Sequence, residues 1–182
     1  MSFSLRDARL SDLAAITAIY ADSVTNGTAS YEMTPPDEAE MQERFLAITS
    51  RGYPYIAAEG HDGAFLGYAY ASAFRTRPAY RWLVEDSIYL APAARGQGIG
   101  RALLAELVDR CTTLGFRQMV AVIGGASPAS IALHHAHGFE LSGTLKGTGF
   151  KHGRWLDTVM MQRRLGDGNT SDPDQLAYPG TL

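Results

Sequence analysis

The sequence feature that most constrains the fold is a strand, a glycine-rich turn and a helix in succession. Residues 83–90 carry β-branched and aromatic side chains and no glycine or proline, as a central strand does. From residue 99 apolar side chains recur with the spacing of one buried helix face, and Gly115 can end that helix. The turn between them, residues 95–100, reads Arg-Gly-Gln-Gly-Ile-Gly. This succession predicts a domain in which helices cover a sheet.

The glycine-rich turn also predicts a type of ligand. Glycines lack Cβ atoms, so backbone N–H groups can close around a ligand at a helix N-terminus, where an anion is favoured. Arg95 adds a guanidinium group that suits phosphate oxygens. We therefore expect a pyrophosphate, although the spacing fits neither a Walker A loop nor a Rossmann fingerprint. The alternative is a tight connection that needs glycine for its own geometry.

Composition indicates a soluble globular protein and not a disordered one. The 182 residues are 46% hydrophobic and 19% charged, and a net charge of −3 without a Lys/Arg run argues against nucleic acid as a partner. We find neither an apolar run of membrane-spanning length nor a signal-peptide segment, so we expect no membrane partner. The single cysteine, Cys111, fits a reducing cytoplasm and lies on the apolar helix stripe, where we expect a core residue.

Hydrophobic periodicity and turn residues predict the order β-α-α-β-β-β-α-β-α-β-β, a mixed α/β (α+β) domain. The predicted strands are 3–7, 55–59, 64–74, 83–90, 116–123, 139–145 and 155–164, the last two joined by a loop. We expect helix N-caps at Asp12 and Ser127, and a helix opening at residues 36–38. We assign residues 1–165 to one domain. Residues 166–182 lack hydrophobic periodicity, and we predict that they form a disordered tail.

The element order and the pattern R-x-x-G-x-G after a strand resemble the GNAT superfamily of acetyl-CoA-dependent N-acetyltransferases. Within it, the chain is similar to the phosphinothricin and methionine sulfone or sulfoximine acetyltransferases. The resemblance covers about residues 3–165 and is carried by eight segments: 27–32, 67–70, 77–81, 84–89, 95–100, 132–134, 138–139 and 149–157.

The resemblance implies the GNAT fold, a mixed, mostly antiparallel sheet with helices on both faces. Strands 83–90 and 116–123 would splay apart and hold acetyl-CoA as a co-substrate. It implies that the pantetheine arm is bound by the backbone of Ile88, Tyr89 and Leu90. The pyrophosphate would be bound by the turn, which consists of Arg95, Gly96, Gln97, Gly98, Ile99 and Gly100. Ser127 stands where the family commonly has an Asn, and Ser130 is expected to face the cofactor.

Two side chains are predicted to be catalytic. Glu85 is our candidate general base, because a strand position among apolar neighbours raises the pKa of a carboxyl. The alternative is a solvent-facing carboxylate paired with an arginine. Strand alternation directs Asp86 to the opposite face, where we expect a structural role. His134 stands where many family members have the tyrosine that protonates the leaving thiolate; it could do that or serve as the base.

The acceptor implied by the resemblance is a small L-amino acid analogue: phosphinothricin, methionine sulfoximine or methionine sulfone. Arg75 and Arg81 are our candidates for binding its carboxylate. Tyr31, Tyr80 and Lys151 are expected to line its side-chain pocket. Relatives usually form homodimers, which the aromatic residues Tyr53 and Trp155 would permit if exposed.

Two other readings remain open at this point. The chain could acetylate another small amine or a protein N-terminus, or it could be a non-catalytic acyl-CoA-binding domain. The joint presence of Glu85 and His134 argues against the second. No C-x-x-C or H-E-x-x-H pattern supports a metal site.

Overall fold

The computed structural model describes residues 2–180, which form one seven-stranded sheet and four α-helices. Met1 and residues 181–182, the ends of the predicted domain and tail, lie outside the described residues. The elements are β1 Phe3–Asp7, α1 Leu13–Asn26, α2 Glu38–Thr49, β2 Tyr55–Gly60, β3 Phe65–Ala73, β4 Leu83–Leu90, α3 Ile99–Thr113, β5 Gln118–Gly124, α4 Pro128–Ala136, β6 Glu140–Lys151 and β7 Arg154–Arg164. Their order confirms the predicted one.

The sheet has the strand order β1-β2-β3-β4-β5-β7-β6. Its neighbours pair antiparallel except β4 and β5, which run parallel. That parallel pairing covers only three positions, from Leu83 with Gln118 to Glu85 with Val120. Beyond Glu85 the two strands separate, although β4 stays paired with β3 as far as Leu90. The mixed, mostly antiparallel sheet and its splayed strands confirm the predicted fold.

Helices cover both faces of the sheet. The apolar face of α3 packs into one core cluster with side chains such as Val84. The helices α1 and α2 form a second cluster with Tyr55 and Tyr68 on the opposite face. Side chains alternate along β4, so Asp86 faces the α3 side, as Val84 does, and Glu85 faces the α1 side. The sheet therefore presents two consecutive carboxyl groups to two different layers.

Cys111 is fully buried in the α3 cluster, which confirms its predicted place in the core. Burial, with a smaller contribution from the negative charge of Asp86, raises the pKa of Cys111 to about 12. The thiol is therefore neutral at physiological pH. A neutral, buried thiol is inert as a nucleophile.

Of the two expected helix N-caps, the one at Ser127 forms and the one at Asp12 does not, while Asp37, expected in the first turn of α2, caps that helix instead. Asp37 precedes α2, and its carboxylate accepts a hydrogen bond from the amide of Glu40 at 2.9 Å. Ser127 precedes α4 and accepts from the amide of Ser130 at 3.4 Å. Asp12 precedes α1 but does not cap it, because its carboxylate binds the Arg6 guanidinium at 2.7 Å and the amide of Arg9 at 2.8 Å.

The predicted loop between the last two strands is wrong. The strand β6 continues to Lys151, and a two-residue turn of His152 and Gly153, both with positive φ, leads into β7. The glycines of this stretch suggested a loop, but at Gly149 the absence of a side chain serves packing. A Cβ atom there would lie 2.7 Å from the Tyr31 ring, so glycine leaves room for that ring against the strand.

Residues 166–180, for which the sequence predicts disorder, contain no helix or strand but contact the domain. The Tyr178 ring packs edge-on against Phe116 at 5.8 Å, and its hydroxyl donates to the carbonyl of Arg51 at 2.6 Å. Arg117 donates to the carbonyl of Asp172 at 3.1 Å. These contacts join residues distant in the sequence, which local composition does not reveal.

Candidate active site

A cavity of about 810 Å³ opens where β4 and β5 separate. Its wall is formed by the end of α1 and residues 27–29, by β4 from Glu85 onward, by the end of β5, by the turn before α3 and by the first turns of α4. Nine predicted cofactor-binding residues line it: Ile88, Tyr89, Leu90, Arg95, Gly96, Gly98, Gly100, Ser127 and Ser130. Two do not. The Ile99 side chain is fully buried in the core, and the Gln97 amide donates to the carbonyl of Ala93 at 2.6 Å. Only their backbone amides remain available.

The turn before α3 has free backbone donors. Gly96 and Gly98 have φ of 75° and 81°, a left-handed conformation that favours glycine. Within residues 2–180, no backbone or side-chain acceptor takes a hydrogen bond from the amides of residues 96–98. A Cβ at Gly98 would have no atom within 4 Å, so this glycine leaves open space beside those donors. Free amides at a helix N-terminus fit an anionic group.

Two arginines surround the turn. Arg95 forms an ion pair with Asp22 of α1 at 2.9 Å, and more than half of its side chain is exposed. Arg101, in the first turn of α3, also lines the cavity. Sequence reasoning missed Arg101, although a cation just after the glycine turn was a visible signal. The positive charge of both residues suits the same anion that the free amides would bind.

Glu85 lies on the cavity wall at the point where β4 and β5 part. Its carboxyl group is partly buried. Burial and then the like charge of Asp86 raise the pKa of Glu85 to about 7, while the positive charge of Arg75 acts in the opposite direction. A carboxyl group with that pKa can take up and release a proton near neutral pH.

His134 is buried beside Asp86 in the wall of the same cavity. Its Nε2 lies 3.0 Å from a carboxylate oxygen of Asp86, and its Nδ1 lies 2.7 Å from the carbonyl oxygen of Ser130. Burial lowers the pKa of His134, but the hydrogen bond and charge of Asp86 outweigh it and raise the pKa above its usual value. The sequence interpretation missed this pair, because strand alternation assigned Asp86 to a layer away from Glu85.

The structure brings none of the five predicted substrate-binding residues onto the cavity wall. Arg75 is exposed, stacks over the Phe74 ring at 4.1 Å and is near enough to Glu85 to affect its pKa. Tyr80 is exposed and packs against the same ring. The Arg81 guanidinium donates to the carbonyl oxygen of Ala177 at 3.4 Å.

The other two substrate candidates anchor the segment between α1 and α2. The Tyr31 hydroxyl accepts from the amide of Gly125 at 3.2 Å and donates to the carbonyl of Asp157 at 3.0 Å. Lys151 is buried and donates to the carbonyl of Ser30 at 2.8 Å. Burial lowers the pKa of Lys151. Both residues thus hold the segment between α1 and α2 in place. Thr28 and Ala29 of this segment line the cavity.

Neither a metal centre nor a membrane-spanning helix occurs in the part of the chain that the structure describes. Among residues 2–180, no group of three His, Cys, Asp or Glu side chains is placed to hold a metal ion. None of the helices in the same range is long and apolar enough to cross a membrane.

Comparison with known proteins gives consistent matches. Residues 5–160 match the family model described as an acetyltransferase (GNAT) domain. The phosphinothricin N-acetyltransferase of Alcaligenes faecalis is 51% identical over 94% of this chain and 87% of its own length. An L-methionine sulfoximine/L-methionine sulfone acetyltransferase of Pseudomonas paraeruginosa is 44% identical over 91% of this chain and 96% of its own.

A solved structure matches the whole chain. A GNAT superfamily phosphinothricin acetyltransferase from Sinorhizobium meliloti, crystallised in complex with acetyl-CoA, superposes with a TM-score of 0.98. It is 66% identical, and the match covers 100% of this chain and 98% of the other.

Proposed function

The chain belongs to the GNAT acetyltransferase family and is an acetyl-CoA-dependent N-acetyltransferase, and we propose that its acceptor is the α-amine of a small L-amino acid analogue. The analogues that fit best are phosphinothricin, methionine sulfoximine and methionine sulfone, which the names of the similar enzymes give as their substrates. Their tetrahedral, polar side-chain heads define the class of acceptor.

The observation that carries this proposal is the combination of features around one opening. Free amides of the glycine turn lie at the cavity between β4 and β5, and Glu85 lies on its wall with a pKa of about 7. The first feature suits the pyrophosphate of acetyl-CoA, and the second suits removal of a proton from an ammonium group.

The residues present fit acetyl-CoA. Amides of residues 96–100 would bind the pyrophosphate, with Arg95 and Arg101 adding positive charge. The backbone of residues 88–90 would pair with the pantetheine arm as an added strand does, because β5 leaves that edge of β4 unpaired beyond Glu85. When bound, acetyl-CoA supplies an activated acyl group, and the chain has to orient it beside the amine.

Three protein groups would act on the reacting atoms. Glu85 takes the proton that the ammonium group must lose before it attacks, directly or through a water. A backbone N–H of β4 near Tyr89 or Leu90 donates to the oxyanion of the tetrahedral state. His134 is the candidate group for giving a proton to the departing sulfur. Cys111 takes no part, since it is buried and neutral, which favours direct transfer without an acyl-enzyme.

Arg75 is the best-supported group for the acceptor carboxylate. It is exposed and acts electrostatically on Glu85, so an α-carboxylate bound to Arg75 would place its neighbouring amine near that base. Arg81 has weaker support, because its guanidinium already faces carbonyls of the C-terminal segment.

We also propose a cytoplasmic homodimer. The single buried cysteine is compatible with a reducing compartment. The hairpin of β6 and β7 exposes a group of large apolar side chains: Leu141, Leu145, Phe150 and Trp155. Among them Phe150 and Trp155 contact each other, with ring centroids 5.3 Å apart, and an exposed apolar patch of this kind marks an interaction surface. Tyr53, the other aromatic residue considered for this role, is buried in the core instead.

The test is a turnover screen that follows release of the CoA thiol. Acetyl-CoA is offered with phosphinothricin, methionine sulfoximine, methionine sulfone, the twenty common amino acids and a peptide with a free N-terminus. We expect turnover on the three analogues well above that on the peptide. Turnover on the peptide alone would replace the acceptor class with protein N-termini. Acetyl-CoA binding without turnover on any amine would instead favour a non-catalytic acyl-CoA-binding domain.

A further inference from the structure

The C-terminal segment, residues 166–180, lies beyond the stretch that matches the family model, yet its end is anchored on the domain. The Tyr178 ring meets the rings of Tyr53 and Phe116 edge-on, with centroids 6.4 Å and 5.8 Å away. The Tyr178 hydroxyl donates to the carbonyl of Arg51 at 2.6 Å. This end of the segment therefore has a fixed position relative to the sheet.

The end of the segment also fits closely into its recess. Gly180 has φ of 62°, and a Cβ atom there would overlap the Tyr53 hydroxyl oxygen. On the domain side, a Cβ atom at Gly115 would lie 3.2 Å from the carbonyl oxygen of Tyr178. Pro179, which precedes Gly180, is buried. Such close packing restricts the end of the segment to one position.

The anchored end presents two backbone carbonyls to Arg81. The Arg81 guanidinium donates to the carbonyl oxygens of Ala177 and Pro179 at 3.4 Å and 3.5 Å. These two residues flank Tyr178, so the anchoring of its ring determines where both carbonyls lie. The guanidinium also lies over the Trp82 ring, 5.2 Å from the ring centroid. Arg81 thus joins the C-terminal segment to the residue that precedes β4.

Arg81 lies near the end of the loop that joins β3 to β4, residues 74–82. The amide of Arg81 closes a turn of 3₁₀ helix that ends at Tyr80. The Tyr80 ring meets the Phe74 ring edge-on, with centroids 6.2 Å apart. The Arg75 guanidinium lies over the same Phe74 ring at 4.1 Å. Contacts therefore run through this β3–β4 loop from Arg81 to Arg75.

The beginning of the β3–β4 loop lies beside the proposed base. The strands β3 and β4 pair as far as Ala73 and Val84, and Glu85 pairs with Ser72. Arg75 lies just beyond that end of β3, and its positive charge acts on Glu85. An acceptor whose carboxylate binds Arg75 can present its amine to Glu85 only while the loop holds the two groups at a suitable separation.

We propose that Tyr178 and Arg81 are positioning residues for the acceptor. Tyr178 fixes the carbonyls that hold Arg81, and Arg81 in turn fixes the β3–β4 loop. The loop then keeps Arg75 in its place beside Glu85. This inference rests on the proposed function, in which Arg75 binds the α-carboxylate of the acceptor. It goes further by giving the C-terminal segment a role in acceptor binding.

The proposal predicts an effect on the acceptor that is separate from any effect on acetyl-CoA. Among the described residues, none of the β3–β4 loop or of the C-terminal segment lines the cavity where β4 and β5 separate. Release of the C-terminal segment should therefore weaken binding of the acceptor and leave binding of acetyl-CoA unchanged.

The first test is hydrogen exchange in the full chain. The amides of Tyr80 and Arg81 are bonded within the loop at 2.9 Å and 3.1 Å, so their exchange reports its stability. In Tyr178→Ala we expect both amides to exchange about tenfold faster than in the wild type, while amides of β7 keep their rates. Unchanged exchange of the two loop amides would overturn the proposal.

The matched control is Leu176→Ala. Leu176 belongs to the same segment and is 97% exposed, so its side chain does not anchor the segment. We expect this variant to exchange as the wild type does. Tyr178→Phe, which keeps the ring and loses only the hydroxyl, should also stay close to the wild type.

The second test is steady-state kinetics with the analogue that the screen turns over fastest. In Tyr178→Ala we expect KM for this acceptor to rise about tenfold, the factor for ordering one backbone residue on binding. KM for acetyl-CoA should stay within about twofold. Tyr178→Phe should restore the acceptor KM, and Leu176→Ala should not change it. Equal changes in the two KM values, or no change in either, would contradict the proposal.

Arg81→Met breaks the same link from the other side, so the test does not depend on the stability of Tyr178→Ala. Methionine keeps the apolar stem but cannot donate to the two carbonyls. We expect a similar rise in the acceptor KM, and no further rise in the double variant, because both changes remove one link. If Arg81 bound the acceptor directly, Arg81→Met would raise KM and Tyr178→Ala would not, which would overturn the proposal.

The two levels of inference fail differently. Absence of turnover with every amine in the screen would reject the proposed function, whereas hydrogen exchange would still report whether Tyr178 fixes the loop. Normal turnover together with unchanged exchange and an unchanged acceptor KM in Tyr178→Ala would reject only the positioning role.

Discussion

Glu85 has the most exacting task of any single residue in the proposed reaction. Replacing it by Gln keeps its size but removes its capacity to accept a proton. We expect kcat to fall by about two to four orders of magnitude, the usual loss for an acid–base group. Steady-state kinetics with saturating acetyl-CoA measure this. A loss below about threefold would show that another group is the base.

The pH dependence of the same enzyme gives a second prediction. Because the pKa of Glu85 is about 7, kcat/KM should rise with pH and bend near pH 7 as the carboxyl loses its proton. In Glu85→Gln that bend should vanish while the residual rate remains measurable. A bend near pH 7 that persists in the variant would assign the titration to a different group.

Ionisation of Glu85 should lower the stability of the folded protein as pH rises, whereas it should raise the activity. Its pKa is about 7 when folded and 4.5 ordinarily, so between those values the folded state binds more protons and stability falls as pH rises. Above pH 7 the full cost, roughly 3 kcal/mol, is present. Glu85→Gln should therefore gain stability relative to wild type between pH 4.5 and pH 8. Urea unfolding at pH 4.5 and at pH 8 measures the free energy of unfolding of both proteins. The same difference between variant and wild type at the two pH values would contradict this prediction.

The sequence predicts buried or reactive residues where the signal is local, and it fails where the partner is distant. The strand pattern around Glu85 sufficed to predict a desolvated carboxyl. It did not predict the Asp86–His134 pair, because the two residues meet only where β4 and β5 separate. Arg81 shows the same limit: its carbonyl partners come from the C-terminal segment, almost a hundred residues later.

The turn between β4 and α3 should determine the affinity for acetyl-CoA. In Gly98→Val a side chain would fill the open space beside the free amides. Losing hydrogen bonds to a charged phosphate costs about 1.5–3 kcal/mol, or roughly 10- to 100-fold in the Kd of acetyl-CoA. Isothermal titration measures that constant directly.

The matched control for this variant is Gly63→Val in the turn between β2 and β3. Gly63 has φ of 79° and Gly98 has φ of 81°, and at neither residue would a Cβ have another atom within 4 Å. The backbone strain of valine is therefore similar in both, about 1–3 kcal/mol. Only Gly98→Val should weaken acetyl-CoA binding. Equal affinity in the two variants would remove the turn from the cofactor site.

The helices and strands could be predicted where their apolar residues recur with the spacing of one helix face or one strand. The strand β4 and the helix α3 have strong patterns, and their bounds agree with the sequence prediction. The end of β6 has glycines at positions 147 and 149, which weaken any strand signal. Gly149 is explained by the Tyr31 ring packed against it, a contact between residues more than a hundred positions apart.

For the whole molecule, local patterns and the family resemblance predicted the fold class and the splayed strands. The contacts of residues 166–180 were not predictable, because they depend on aromatic side chains and carbonyls meeting across the folded domain. In a tail rich in Gly, Asp and Pro, the Tyr178 ring and the carbonyls bound by Arg81 and Arg117 attach the segment to the domain.

The proposed homodimer gives a prediction at the same scale. Trp155 is 70% exposed on the apolar patch of β6 and β7, and a charge there would oppose burial of the patch in an interface. We expect light scattering to give a dimer mass for the wild type and a monomer mass for Trp155→Arg. Leu10→Arg, at an exposed apolar residue away from the hairpin, should remain a dimer. A monomeric wild type would reject the dimer.

The most direct test of the proposed site is a crystal structure of this chain with acetyl-CoA bound. We expect pyrophosphate oxygens on the amides of residues 96–100, the pantetheine arm along residues 88–90, and the thioester between Glu85 and His134. Acetyl-CoA bound at another surface, or absent at millimolar concentration while the crystals remain intact, would contradict the proposed mode of binding and the chemistry that depends on it.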